Sequence, residues 1–560
     1  MTTRPAQMSH ARRRLRLFIA FIAFAATASV TALAQAPPSA RKITAVRAGR
    51  LIDPDTGTAT PNAVILVEGE RITAVGANVP IPAGADIVDL SKLTVLPGLV
   101  DAHTHMGITY KEFPENNIYY LTYVLDSSPL RAIQAASNGL QMLASGFTVV
   151  RDVGNNGLYV DVALRMAIEQ GWLPGPTVIP SGPIIGPMGG QFSPTPEMYK
   201  DHKIVYPEYI DADTPDEIVK AVRQNMLFGA RTIKLCVDCK AWGFSVDDMK
   251  LAIREAAKGG LKVDGHVQTP EGAQRAIDAG LHVISHGRAL NADLHKQMAA
   301  KGIYLASTDT PFTPYRGSAE AFKTTVEQLR SAYDNKVALT FSTDMDYWNE
   351  RMKKDNGDWM TRGEITINFL LTWKAARIPA PDVLRAMTTN GYKAADIINE
   401  RGPIKAGLFA DFIAVPGNPL EDIDAVRDVQ FVMKNGQIFN ANDKHFGVFP
   451  DSGARATFGA AEMDNVTGAD REKAYFKSVT YNPMTDADYQ ALLKVDPISE
   501  KILKDRKLYR LDLVSNGDNV LSFLVIQPLA DPFWVFPLTE KGLGSPAFFV
   551  VSLASINRSR

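Results

Sequence analysis

Between Leu99 and Ile398 the chain alternates two hydrophobic rhythms. Stretches such as DEIVKAVRQNMLFG, VDDMKLAIREAAKGG, PEGAQRAIDAG, ADLHKQMAAKG and AEAFKTTVEQLRSAYDNK space their apolar residues near 3.6, and glycine commonly closes them. Each is followed by a short apolar run: ARTIKLCV, LKVDGHV, LHVISHG, IYLAST and VALTFSTD. Strands separated by helices of this length predict βα units and a parallel sheet. About eight such units fit in the segment, so the expected fold is α/β, a (β/α)8 TIM barrel over residues 97–404.

The pattern differs on either side. Residues 42–96 carry short β-type runs broken by turn residues (ITAVRAGRLID, AVILVEGERITAVG, IVDLSKLTVLPG), and the same texture returns in LFADFIAVPGNP and DVQFVMKNGQIFN. The two segments, 42–96 and 405–440, are expected to pair across the barrel as a composite β-sandwich. Residues 441–560 form a C-terminal extension of unassigned role, with helix-like TDADYQALLKVD, a hairpin expected around Asn516-Gly517-Asp518 and an apolar end. At the other terminus, ARRRLRLFIAFIAFAATASVTALAQ joins a basic stretch to an apolar run and a small-x-small site, Ala32-Leu33-Ala34. That is the pattern of an export signal over residues 1–34, placing the mature protein in the periplasm or outside the cell. An uncleaved anchor is the rival, because the run approaches the ~18 apolar residues that span a bilayer; cleavage leaves no stable membrane span.

Composition narrows the picture little: 46% hydrophobic and 22% charged residues are ordinary for a globular chain of 560 residues. A formal net charge of −1 supplies no field to attract nucleic acid, so a small-molecule or peptide substrate is expected. Self-association is left open. The only two cysteines, Cys236 and Cys239, are too few for a structural zinc site. They read as two small side chains at a strand end, with a disulfide between them left open.

Barrel enzymes place their chemistry at the C-terminal ends of the strands. His103 and His105 close LPGLVDAHTH one residue apart, so on a strand they share a face. Lys234 lies in the apolar run TIKL, His266 ends LKVDGH, His286 ends LHVISH, and Asp344 ends VALTFSTD. Each is a metal-ligand type at a predicted strand end except Lys234, and a lysine in an apolar strand must be paired or neutralised. Six such coincidences point to a metal site, whereas His10, His202, His282, His295 and His445 lack that placement. Arg151 in VVRDVG and Arg288 in SHGRAL follow strands and could hold a substrate carboxylate, a structural ion pair being the alternative.

The series PGLVDAHTH, TIKL, GH with AIDAG, VISHG and STD, closed by GPIKAGLFADFIAVPGNPLEDI, resembles the metal-dependent amidohydrolase superfamily, and within it the prolidase-like branch of dipeptidases and N-acyl amino acid hydrolases. The resemblance spans roughly Ile43 to Asn440. It implies two divalent metal ions, one on His103 and His105, the other on His266 and His286, bridged by Lys234 after carboxylation by CO2. Asp344 would ligate the first metal and move the proton for attack by a metal-bridging hydroxide on an amide carbonyl. Zinc fits such ligands best. Two departures concern the substrate. Gln191 in PMGGQF stands where the branch often has histidine, and CVDCKAWGF replaces a glycine-rich stretch, so Cys236, Cys239 and Trp242 are expected to reshape the pocket. The expected activity is hydrolysis of an amide in a dipeptide or N-acyl amino acid; esters, lactones or organophosphates are the alternative, and a non-catalytic exported binding protein is the reading from another class.

Overall fold

The computed structural model describes residues 43–108, 126–154, 157–193, 196–199, 206, 208–309, 319–345 and 360–439, and beyond them 476–495, 507–515, 520–527, 534–539 and 542–543. The export signal, the Asn516–Asp518 turn and residues 544–560 of the apolar end lie outside these residues. Among the described residues no helix is long and apolar enough to cross a membrane. The chain divides into two units, residues 1–450 and 451–560.

In the first unit, β1 (Ile43–Asp53), β2 (Thr58–Glu68), β3 (Arg71–Gly76) and β4 (Asp86–Pro97) join three later strands in one seven-stranded sheet. The partnership across the intervening segment is a register of β4 with Phe412–Val415, in which Phe412 faces Pro97 and Val415 faces Thr94. Period-2 alternation explains why this sheet is stable. Val46, Ala48, Ile65, Val67, Ala410, Phe412 and Ala414 form one apolar face, while the intervening Ile413, Val415 and Val432 join the main core with Leu96, Leu99 and Phe147.

The main core surrounds parallel strands. A three-stranded sheet contains β5 (Leu99–Thr104), β6 (Phe147–Asp152) and β7 (Thr177–Pro180). A seven-stranded parallel sheet contains β8 (Ile184–Gly186), β9 (Tyr209–Asp211), β10 (Ile233–Cys236), β11 (Val263–Val267), β12 (Val283–His286), β13 (Tyr304–Ala306) and β14 (Ala338–Thr340), in the order β14-β13-β12-β11-β10-β8-β9. Burial on both faces suits strands that are apolar almost throughout. Backbone bonds continue beyond the two sheets: Ala102 N donates to Phe341 O at 2.9 Å, and Arg231 N to Pro180 O at 2.7 Å. Gly98, where β4 passes into β5, permits a close approach, since a Cβ there would lie 2.1 Å from Thr148 Oγ1.

Helix boundaries follow local chemistry. Thr214 with Glu217, Ser245 with Asp248 and Thr361 with Glu364 form capping boxes, which satisfy orphan N–H groups at helix starts. Gly229, Gly280 and Gly302 end helices in the left-handed conformation. The second unit is an antiparallel sheet of Phe476–Pro483, Lys507–Ser515, Val520–Gln527, Trp534–Thr539 and Gly542–Leu543, hydrogen-bonded in chain order, with a helix at Asp486–Val495. Val514 pairs with Val520 on either side of the expected hairpin turn.

Candidate metal centre

Strand register brings the strand-end residues together. Lys234 pairs with Asp264, Cys236 with His266, and Val267 with His286, so β10, β11 and β12 end in step. The other side is supplied by β5 and the segment after β14, where Asp344 N donates to His103 O at 2.7 Å. The result is a cavity of about 240 Å³ lined by His103, His105, Lys234, His266, His286 and Asp344, together with Gln191, Gln268, Val153 and Ile184. His286 and Asp344 have φ of 68° and 56°. Left-handed backbone at non-glycine residues costs roughly 1–3 kcal/mol each and persists where the surroundings impose it.

The tautomer of His105 can be deduced. The Gly154 carbonyl can only accept, so the ring proton sits on Nδ1, 2.6 Å away, and Nε2 presents a lone pair. That lone pair faces Asp344 Oδ1 at 2.8 Å, and His103 Nε2 lies 3.3 Å from the same oxygen. Electron-rich atoms converging on one point require a cation or a proton between them. His103 Nδ1 is buried without a hydrogen-bond partner among the described residues. On the other side of the cavity the His266 and His286 rings lie 4.3 Å apart, centre to centre, and His286 Nδ1 is 3.5 Å from Asp344 Oδ2.

Electrostatics favour neutral imidazoles. Burial, then the Lys234 charge, holds His103 well below the ordinary histidine range and pulls His266 down to about 3. His286 is held well below that range by burial and by His266. For Asp344 burial opposes ionisation, and charge or protons presented by the facing His103, His286 and His105 rings lower its carboxyl well below the usual range; between neutral imidazoles a metal cation would supply that charge. Lys234, 1% exposed, donates to Ser285 Oγ at 2.6 Å, and burial pulls its amine down to about 7. Neutral imidazoles, a carboxylate and a buried amine that readily sheds its proton form a donor set that fits divalent cations.

The four substrate candidates separate. Gln191 lines the cavity: Tyr209 Oη donates to its Oε1 at 2.5 Å, which turns Nε2 toward His266 Nε2 at 2.9 Å. Arg151 does not line it. It is buried in an ion pair with Asp264 and also donates to Ala102 O, so the buried carboxylate on β11 claims the guanidinium. Trp242 is 65% exposed and also stands outside the lining. Arg288 is half-buried, with Nη2 3.5 Å from Thr308 Oγ1, and is likewise not a lining residue.

Several supporting residues were not anticipated. Asp101 accepts from His103 N, Thr343 N and Thr343 Oγ1, joining β5 to the Asp344 segment. Arg362, fully buried, donates to Thr104 Oγ1, His105 O, Ile108 O and Met345 O. Asp152 accepts from Met106 N at 2.8 Å, and burial pushes its carboxyl up to about 6. The local sequence signal near Arg362 is the Thr-x-x-Glu capping pattern of Thr361 and Glu364, and a cap does not reveal that Arg362 turns inward.

Comparison with known proteins agrees with this geometry. Residues 94–439 match the model of the Amidohydrolase family. Ochratoxinase of Aspergillus niger is 25% identical over 441 residues, covering 71% of this chain and 87% of that protein. Imidazolonepropionase of Alkaliphilus metalliredigens is 25% identical over 410 residues, covering 67% and 89%. Among solved structures, a Xaa-Pro dipeptidase with bound methionine in the active site is 26% identical, with a TM-score of 0.62 over 71% of this chain and all of that one. The chain therefore belongs to the amidohydrolase family, a family of metal-dependent enzymes, and is a hydrolase acting on carbon–nitrogen bonds.

Proposed function

We propose that the protein is an exported binuclear amidohydrolase that cleaves the amide bond of a dipeptide or an N-acyl amino acid. The observation that carries this reading is the convergence of His103, His105 and Asp344 on one point, with His266 and His286 opposite and Lys234 within the same cavity. His103, His105 and Asp344 would hold one divalent ion, His266 and His286 the second, and Lys234, as its CO2 carbamate, would reach both. Such ions, zinc being the best fit, supply Lewis acidity toward the carbonyl and lower the pKa of water.

The chain's own residues do the rest. Gly154 O and Thr308 Oγ1 orient the His105 and His286 rings through their second nitrogens. Asp344, held ionised, is the group that takes a proton on a carboxylate oxygen and returns it to the leaving amine. Gln191 Nε2, aimed by Tyr209, offers a donor to a substrate oxygen. The dipeptide or N-acyl amino acid assignment is supported by the likeness to a Xaa-Pro dipeptidase and by the small polar cavity, which admits the end of a molecule.

The same reading extends to architecture. The bonds Ala102–Phe341 and Arg231–Pro180 support closure of β5–β7 and β10–β14 into a (β/α)8 barrel over residues 97–404. The shared seven-stranded sheet supports the composite domain of 42–96 and 405–440, with 441–560 as an extension. Export is supported by the basic-then-apolar sequence of residues 1–34.

The deciding experiment incubates the mature protein with a mixed library of dipeptides, N-acyl amino acids, esters and lactones, with and without a chelator, and reads products by mass spectrometry alongside elemental analysis. Chelator-sensitive release of a C-terminal amino acid and about two ions per chain are expected. Cleavage confined to esters or lactones would overturn the substrate assignment, and a metal content near one would overturn the binuclear one.

A further inference from the structure

The turn that follows Lys234 carries more contacts than its length suggests. Cys236 and Cys239 are in disulfide contact with their Cα atoms 5.6 Å apart, inside the range a disulfide requires. The sequence leaves a disulfide between these two small side chains open; the four-residue turn brings the sulfurs together. Asp238, enclosed by the bridge, accepts from Gln268 N at 2.9 Å, Thr269 N at 2.8 Å and Thr269 Oγ1 at 2.8 Å. Thr269 in turn caps the helix Pro270–Ala279 by accepting from Gly272 N. A Cβ at residue 272 would lie 2.3 Å from Asp238 Oδ2, so glycine there leaves room for the carboxylate.

The other flank of the turn reaches the opposite wall. Lys240 Nζ donates to Phe192 O at 2.5 Å, next to Gln191. Val237 N donates to His266 O at 3.1 Å, and the sulfurs lie within 4.8 Å of a His266 ring nitrogen. One short turn thus grips the Gln191 loop through Lys240 and the Gln268 loop through Asp238, with His266 between them. A ring this small adds little constraint to the unfolded chain, so its consequence is local.

We propose that the Cys236–Cys239 disulfide is a positioning element for the cavity mouth: by closing the turn it fixes the directions of Asp238 and Lys240, and with them the spacing between Gln191 and Gln268. This rests on the cavity being the active site. Cys239 is half-buried and within reach of a small reductant, whereas Cys236 is fully buried.

The test uses metal-loaded protein isolated from an oxidising compartment and a trialkylphosphine. The phosphine takes an oxygen atom from water to become its oxide, the S–S bond breaks, and the two sulfurs gain two electrons and the two protons of that water. No thiol reagent is present to bind the metals. Alkylation followed by mass measurement is expected to count no free thiols before reduction and two after. Reduction is expected to raise KM about fivefold or more while kcat stays within about twofold, with metal content unchanged. Reoxidation restores KM. The double variant C236S/C239S shows the raised KM from the start and ignores the phosphine, and D238A reproduces it with the bridge intact. Hydrogen exchange at the Gln268 and Thr269 amides accelerates on reduction, a readout that stands even if no amide substrate is turned over. Free thiols in the isolated protein, or unchanged KM and exchange after verified reduction, would overturn the proposal.

Discussion

Asp101 offers a direct test of how the site is held. It is fully buried on β5, and its carboxylate accepts from His103 N at 3.2 Å, Thr343 N at 3.2 Å and Thr343 Oγ1 at 2.6 Å. It therefore ties a histidine to the residue before Asp344 across 242 positions of sequence. Asp101→Ala removes all three acceptors at once. Hydrogen bonds to charged groups contribute about 1.5–3 kcal/mol each, and Thr343 N retains His103 O as a second acceptor, so the loss is about 3–5 kcal/mol rather than the full sum. Asp101→Asn keeps Oδ1 for the two backbone donors and turns an amide N–H toward Thr343 Oγ1. That hydroxyl already accepts from Met345 N and has a second lone pair, so the cost falls to about 1 kcal/mol. In the alanine variant Asp344 also loses its fixed direction, which is expected to lower kcat about 100-fold, as misplacement near 1 Å does. Thermal melts of both variants, with kcat, KM and metal content, read all of this. An alanine variant as stable and active as the asparagine variant would refute the bridge and remove a support for barrel closure.

Three further outcomes are expected. Lys234→Ala loses bound metal and turnover together, with partial rescue of both by a small carboxylate such as formate; elemental analysis and activity measure it, and retained full activity would contradict the role of Lys234. Asp411→Asn strips the counter-charge from buried Arg401 and Lys434 and costs about 3–5 kcal/mol in denaturation. Burial opposes ionisation of Asp411, but Lys434 and Arg401 prevail and hold its carboxyl below 3.8, so its contribution is present above that pH and lost as pH falls toward the lowered value. The acid limb of wild-type stability should therefore be shallower in Asp411→Asn, and an unchanged limb would refute the assignment. Removing metal with a chelator should lower the melting temperature, because at free metal 100-fold above Kd bound ions add about 2.7 kcal/mol per independent site; calorimetry showing no shift would mean the ions do not bind the folded chain.

What could be read in advance divides along a physical line. Strand-end placement is a one-dimensional property, so His103, His105, Lys234, His266, His286 and Asp344 could be picked from local patterns, and the structure gathers all six in one cavity. The β-texture of the flanks likewise anticipated the pairing of Phe412 with Pro97. Pairings of charge could not be read, because they depend on which strands become neighbours. Arg151 has the same local context whether it faces the cavity or Asp264, and only the approach of β11 decides. Asp238 and Arg362 hold loops through backbone atoms of distant segments, a contact that leaves no side-chain pattern to find. Trp242 was singled out as an aromatic residue beside the site, yet its turn places it in solvent.

These reassignments change what the site can recognise. With Arg151 committed to Asp264, the described lining holds no guanidinium to clamp a carboxylate; it holds two carboxamides, Gln191 and Gln268, and two aliphatic side chains, Val153 and Ile184. A carboxamide both donates and accepts, so a pair of them flanking His266 is suited to the C=O and N–H of an amide rather than to a full charge. Reading an amide by hydrogen bonds is stringent about geometry, because a donor displaced by an ångström loses most of its bond. Both carboxamides, moreover, sit on loops rather than strands. That is the physical reason such a mouth needs Asp238 and Lys240 to hold its two sides: His103, Lys234, His266 and His286 are fixed by their strands, whereas the two carboxamides have no register to fix them.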